Sequence, residues 1–497
     1  MDGDLEPCLE DTEEDFKVIG MQILNLALPT LGTVLSDPLM SLIDTCCVGQ
    51  LSSFQLAALG PNTLIFNFVF QVFSFLGSTT CNFMASMKLK SSTTQVSLQG
   101  LVEVSRVLRQ ALCLAGALGL GVTLVIEVLA YPLLAMMGTG LDYMLPAITY
   151  LRLRALSAPA VLILIVGQGA CLGQQDAKTP LLINFMTASV NLVGDLALTL
   201  WAKWGVTGAA VATLCANYLG ALLMLRALRE KSCRRHYPTC AADLSGAAHH
   251  LSSSPGSDEP NGCWLVFPTW EVLRPFYNMA GPLMLRCTLG MIVYTIMGNV
   301  AAQIGTLSIA AHQVAMQVFW TLSYFPESLS ISAQALIAHD LTTKPKRATV
   351  MARILLLSSL ALGLVLVLIM ALLQFFHASW LSEDDKVVKL IMGVTKQSML
   401  SELLCSVVIV IEGIAIASGD IGYLPRMQVI NIMVVLLGLL LAYTAGWGLP
   451  GVWWCLVLYF SIRGVYHTLH ILASWQTHVL STAPFKLNVR QQPSSPI

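Results

Sequence analysis

The sequence predicts an all-α, polytopic membrane protein: twelve transmembrane helices in two six-helix, pseudo-symmetric bundles around a central cavity. Three observations predict it. Of the 497 residues, 56% are hydrophobic and only 11% charged, with a mean hydropathy of +0.71, whereas an ordinary soluble domain carries roughly 25% charged residues. Twelve apolar stretches are each 18 or more residues long, enough for a helix to cross a hydrocarbon core of roughly 30 Å. Short motifs of the first six stretches return in the last six at a nearly constant offset.

Taken in chain order, residues 1–17 form an acidic tail with eight acidic residues and one basic one, unlike a secretory leader or an Arg-rich transit peptide. The first bundle, 18–228, holds apolar stretches near 18 to 43, 60 to 85, 107 to 135, 148 to 172, 180 to 202 and 206 to 228. Residues 229–270 read as a polar linker containing the run LSSSPGSDEP at 251–260. The second bundle, 271–478, has stretches near 276 to 298, 304 to 337, 350 to 376, 389 to 418, 425 to 445 and 449 to 476, and 479–497 is a tail. Pro29 and Pro38 interrupt the first stretch; such breaks are tolerated where neighbouring helices or a water-filled cavity satisfy the freed backbone groups.

Basic residues follow the even-numbered stretches: Lys88, Lys90, Arg106 and Arg109; Arg226, Arg229, Lys231, Arg234 and Arg235; Lys344, Lys346, Arg347 and Arg353. The positive-inside rule then puts both termini on the cytoplasmic side, or the stromal side in a plastid. The two halves echo each other. Phe70-Gln-Val-Phe73 matches Met316-Gln-Val-Phe319, Gln168-Gly169 through Asp176 to Pro180 matches Glu412-Gly413 through Asp420 to Pro425, and Trp204-Gly205 matches Trp447-Gly448, at offsets of about 243 to 246 residues. A repeat of six spans keeps its orientation, so the copies are expected about an axis along the membrane normal, rocking around a central cavity.

Ionisable residues inside spans are costly unless they face a partner or a cavity. They are Asp37, Asp44, Asp195, Arg286, Glu327, Glu412 and Arg463. Asp37 and Asp44 are seven apart and share a helix face about 10 Å apart along the axis, and Asn191 and Asp195 are four apart and also share one. Each has a bland alternative. Asp37, just before Pro38, suits a cap on the continuing helix; Arg286 and Arg463 suit satisfaction by carbonyls or snorkelling; Asp44 and Asp195 suit a hydrogen-bonded helix contact. Asp37, Glu412, Arg286 and Glu327 are weaker candidates for lining a substrate cavity.

Several function classes are excluded. A net charge of −1 disfavours nucleic acid as a partner. No H-E-x-x-H or G-x-S-x-G motif suggests an enzyme, and no phosphate-binding G-x-x-x-x-G-K-[ST] suggests an ATP-driven pump. Most of the 13 cysteines lie in or beside apolar stretches as small hydrophobes. Cys233, Cys240 and Cys263 share a loop with His236, His249 and His250 without metal-finger spacing, so neither a metal nor another cofactor is expected.

The run Ser36–Gln50 (SDPLMSLIDTCCVGQ) and Leu56–Gly60 (LAALG) resemble the first-helix signature of multidrug and toxic compound extrusion (MATE) transporters. The branch is the one named after the DNA-damage-inducible protein F (DinF), and the wording is nearest to plant and algal members of the plastid type. Ala310–Gln313 (AAHQ) and Gly205–Thr213 (GVTGAAVAT) also match, so the likeness spans nearly the whole chain. The resemblance implies a cation-coupled antiporter, with a coupling cluster in the first half at Asp44, Asn191, Asp195, Thr213 and Tyr150. Gln168 stands where some members have Asn, which lengthens the side chain. The seventh-helix acid of other branches is absent.

The expected function is secondary active antiport, driven by protons rather than sodium on the resemblance, that exports a small organic metabolite or xenobiotic by alternating access through a single, monomeric chain. Asp44 and Asp195 would face one cavity and share or compete for protons, because two carboxylates in a dry site do not both ionise cheaply. Proton influx would then drive substrate efflux through linkage. A flippase of related architecture and a passive channel are the alternatives.

Overall fold

The computed structural model describes residues 6–51, 53–92, 98–137, 144–236, 270–341, 344–376, 384–419 and 421–480, with 140 and 142. The Cys/His loop beyond His236, most of the 229–270 linker and most of the C-terminal tail lie outside them, as do the side chains of the acidic tail. Among the described residues fourteen α-helices follow one another. They are α1 (Glu6–Leu51), α2 (Ser53–Phe73), α3 (Phe75–Ser92), α4 (Leu98–Met136), α5 (Met144–Ala155), α6 (Ala158–Gly173), α7 (Lys178–Gly194), α8 (Val206–His236), α9 (Trp270–Ile304), α10 (Thr306–Asp340), α11 (Pro345–Ala371), α12 (Asp385–Ala417), α13 (Leu424–Thr444) and α14 (Gly448–Leu480).

Two expected single spans are broken. The second is interrupted at Ser74, between α2 and α3, where the Ser74 hydroxyl turns back to the Gln71 carbonyl at 2.8 Å. The fourth bends by 46° between α5 and α6, where Pro159 opens the new helix at a position whose missing N–H costs nothing. The fifth and ninth end in wider π-helical turns, Asp195–Trp201 and Leu372–Phe376.

Among the described residues, ten helical segments are long and apolar enough to cross a membrane, eleven with the bent α5/α6 pair. The twelfth is α10, as long as its neighbours at 35 residues but studded with His312, Gln313, Gln317, Glu327 and Gln334. Its surroundings explain the polarity. It packs against α1, α3, α9, α11 and α12, so protein covers the buried His312 and Gln334 and the half-buried Glu327, while Gln313 and Gln317 are exposed. The outward faces of α4 (Leu120, Leu124, Val128), α11 (Leu357, Leu364, Leu368) and α13 (Met433, Leu437, Leu440) are exposed and apolar, as a lipid-facing belt requires.

The halves meet chiefly toward the end where the basic connections lie. There Ile19, Ile23 and Leu26 of α1, Cys81 and Ala85 of α3 and Leu172 of α6 pack with Leu329, Ala333 and Leu336 of α10, Met351 of α11 and Val410 of α12. The Asn82 side chain donates across the junction to the Ile416 carbonyl at 2.9 Å, and Arg347 donates to Gln22 at 2.6 Å. Toward the opposite end the buried clusters belong to one half at a time: Ile65, Ile126, Leu134 and Leu151 in the first, Val293, Met297, Ala311 and Trp453 in the second. The conformation is thus sealed at the basic end.

Candidate functional site

α1 runs as one helix through both prolines, so Asp37 is mid-helix rather than the cap that its place before Pro38 suggests. Thr30, Thr33 and Ser36 donate their hydroxyls to carbonyls four residues back, which ties the helix together beside the prolines that cannot donate. One further stretch of α1 carries Asp44 inward to a buried position, 2% exposed. Asn191, one turn before the π-helical segment, and Asp195, its first residue, are both fully buried. The wider turn starts at the acid, as such bulges often do at functional positions. α8 closes the site from the other side. Gly194 lies so near Ala212, and Gly208 so near the Leu198–Thr199 backbone, that an added Cβ would sit 2.8 and 2.9 Å from them. This close packing brings Thr213 to the acids.

The Asn191 side-chain amide nitrogen lies 2.9 Å from Asp44 Oδ1 and 2.9 Å from Asp195 Oδ2, donating to both. Thr213 Oγ1 is 3.2 Å from Asp44 Oδ2 and 2.9 Å from its own helix's Ala209 carbonyl. The two carboxyl groups are within hydrogen-bonding reach of each other, while Asp195 Oδ1 and Asn191 Oδ1 are buried with no partner. Two acids, one amide and one hydroxyl therefore form a buried cluster with a spare oxygen lone pair. Such a cluster suits a proton, which needs only an acceptor and a place to be shared.

Tyr150 is buried beside this cluster, packed with Val48 of α1, one turn beyond Asp44, and with Ala209 of α8, one turn before Thr213. It meets Arg154 rather than an acid: Arg154 Nη1 donates to the Tyr150 hydroxyl at 2.7 Å. Gln168 stands apart. Its amide donates to Asn184 Oδ1 at 3.0 Å, and Asn184 donates on to the Thr33 carbonyl at 3.1 Å, two helical turns from Asn191. Asp37 is exposed, within electrostatic range of Arg154 on α5 and Tyr324 on α10, and so faces the space between the halves.

In the second half Glu412 is the hub of an ion cluster. Arg286 donates to its Oε2; Arg463 donates through two nitrogens, Nε at 3.0 Å, to Oε1, and His467 Nε2 lies 2.9 Å from the same oxygen. Carbonyl satisfaction or snorkelling is thus not what holds the two arginines; a carboxylate on another helix does. The Tyr423 hydroxyl lies 2.9 Å from His467 Nδ1. The Arg286 side chain keeps 22% of its surface exposed against 2% for Glu412, and the half-buried Glu327 lies within electrostatic range of Arg286 and Arg463.

Sequence reading missed Arg154, His467 and Glu402. Arg154 lies in the fourth apolar stretch two residues from Arg152, which points the other way and pairs with Glu127 at 3.3 Å; the alternation was a readable signal. Glu402 is fully buried, with the Ser323 hydroxyl 3.2 Å from Oε2 and no partner on Oε1. Nothing in its neighbours along the chain marks it.

With this geometry in place, the comparisons with known proteins agree on one family. The MatE family profile matches residues 29–197 and 282–444, more than half of the chain. Among curated relatives, DETOXIFICATION 44, chloroplastic, of Arabidopsis thaliana is 29% identical over 90% of this chain and 81% of its own length, and DETOXIFICATION 42 of the same plant is 27% identical over 90% and 91%. The DNA damage-inducible protein F of Escherichia coli is 30% identical over 41% of this chain and 43% of its own. Among solved structures, the Vibrio cholerae MATE transporter VcmN in the bent form superposes with a TM-score of 0.74 at 18% identity, over 94% of this chain and 99% of the other. An outward-facing multidrug resistance MATE transporter gives 0.75 at 17%, over 93% and 96%; both likenesses speak for the fold. Twelve spans in two halves, a buried acid cluster and a profile covering both halves lead to one conclusion: the chain belongs to the MatE family of multi-pass membrane transporters.

Proposed function

We propose that the chain exports a small organic metabolite or xenobiotic by alternating access, and that proton binding at Asp44 and Asp195 drives it. The observation that carries this reading is the Asn191 amide, 2.9 Å from a carboxylate oxygen of each acid at a fully buried position. One proton shared by the pair removes a charge from a dry site, and loss of that proton restores it. The two protonation states therefore favour different surroundings for the cluster, and their interconversion biases which face of the bundle opens. Thr213 and Asn191 hold the acids in register, and Asp37, Glu327 and Arg286 line the substrate path between the halves. The basic end, sealed here, is the cytoplasmic or stromal side, so the described conformation opens away from it. The names of the relatives, DETOXIFICATION proteins and multidrug resistance proteins, support an organic cargo, and the chloroplastic ones support a plastid membrane as the site of action.

The test uses sealed vesicles containing the purified chain, screened for uptake of candidate organic solutes with and without an imposed pH gradient. Accumulation that needs the gradient supports antiport. Uptake indifferent to both pH and sodium gradients would replace it with a passive channel.

A further inference from the structure

Among the described residues, Arg154 is the cation set against the acid cluster. It projects from α5 immediately before the bend into α6. Its guanidinium lies 4.9 Å from the Phe66 ring centroid and 5.7 Å from that of Tyr150, and it is fixed by its 2.7 Å bond to the Tyr150 hydroxyl. Tyr150 in turn belongs to one buried cluster with Val48, a turn beyond Asp44 on α1, and Ala209, a turn before Thr213 on α8. Arg154 is thereby held within electrostatic range of Asp44, Asp195 and Asp37 without bonding to any of them. Stacked on aromatic faces and always charged, an arginine makes a permanent fixture of that positive charge.

We propose that Arg154 is the specificity-determining residue of the coupling site: a tethered cation that excludes sodium from the Asp44–Asp195 pair and so restricts the pair to a proton. Two features support it independently. A bound metal cation needs a shell of oxygens, yet Asn191 turns its N–H group toward the space between the acids and leaves its Oδ1 outside the pair. The charge count agrees: beside Arg154, the two carboxylates offer room for a single positive charge, and a proton fills it on one oxygen with no shell to build. Without Arg154 the pair carries an uncompensated second charge, and a monovalent metal ion gains on the order of tenfold to a hundredfold in affinity from the lost repulsion.

This inference rests on the acid pair being the coupling site, and the experiment separates the two. Radioactive sodium binding to the purified chain in lipid nanodiscs is measured directly, beside pH-gradient-driven transport in vesicles. The wild type is expected to show no saturable sodium binding. Arg154→Gln is expected to acquire it, at least tenfold above wild type, and to lose it again when combined with Asp44→Asn; Arg154→Lys, which keeps the charge, is expected to exclude sodium as the wild type does. Saturable sodium binding by the wild type that Asp195→Asn abolishes would overturn the exclusion role while leaving antiport intact. Absence of sodium binding in an Arg154→Gln chain that elutes as a single species would also overturn it. If Asp44→Asn and Asp195→Asn leave gradient-driven transport unchanged, the coupling site itself is misassigned and the inference falls with it. Saturable sodium binding by the wild type overturns the exclusion role even if Arg154→Gln does not fold.

Discussion

Gln168 and Glu412 occupy the same place in the two copies of the repeat, each followed by a glycine, and the halves use that place differently. In the first half Gln168 joins a neutral chain of amides that ties α6 to α7 and α1. In the second, Glu412 gathers Arg286, Arg463 and His467 from α9 and α14. Both glycines do the same work: an added Cβ on Gly169 would sit 2.3 Å from the Gly77 carbonyl oxygen, and on Gly413 2.6 Å from that of Ser330. The backbone approach is shared and the chemistry is not. Charge alone therefore does not identify a coupling site. Glu412 has donors on both oxygens, whereas Asp195 keeps a buried oxygen with nothing bonded to it. A saturated carboxylate is a fastener, and one with a spare lone pair can take a proton.

The most damaging way to break the comparison is Asp195→Asn. Gradient-driven transport in vesicles is expected to fall to the level of empty vesicles, with the protein folded as before, because an amide fills the same space and holds no exchangeable charge. Full transport by this variant would remove Asp195 from the coupling role. Next in size is Glu412→Gln. It strands two arginines in a buried site and is expected to cost about 3–5 kcal/mol, read as a large drop in melting temperature and in yield from membranes. Equal melting of variant and wild type would show that Glu412 is not a fastener.

A smaller effect is expected from Gly208→Val. The added atoms meet the Leu198–Thr199 backbone, and overpacking of this kind costs about 1–3 kcal/mol. Because α8 must shift, Thr213 leaves Asp44, so transport should fall further than the change in melting alone explains. A proportionate fall in both would leave Thr213 without a part in coupling.

The two halves were also unequally legible in the sequence. Twelve spans followed from apolar length, because lipid leaves a helix no alternative to being apolar. α10, read as the stretch 304 to 337, is the least apolar of them, and protein contacts permit its polar residues. Asp44, Asn191 and Asp195 were legible because polar residues at helical spacing stand out in oil, and Thr213 was named by the family resemblance alone. Their meeting was implied by the resemblance and not by spacing: it depends on α8 lying against the π-helical turn, which no periodicity encodes. The Glu412 partners were unreadable for the same reason, being 126, 51 and 55 residues away. Arg154 was readable and overlooked, since one of two arginines two residues apart in a span must face inward.

The smallest expected effect sharpens the contrast most. Gln168→Ala removes the donor to Asn184 and leaves that amide oxygen buried without it, at a cost of about 1–3 kcal/mol. Asn184 still donates to the Thr33 carbonyl, so α7 stays against α1 and the Asn191 amide keeps its distance from both acids. Transport per folded molecule should then match the wild type even though melting falls. If transport is instead lost while melting holds, Gln168 acts on the acids across two helical turns, and the division between a fastening position and a coupling position fails in the half that holds the proposed coupling site.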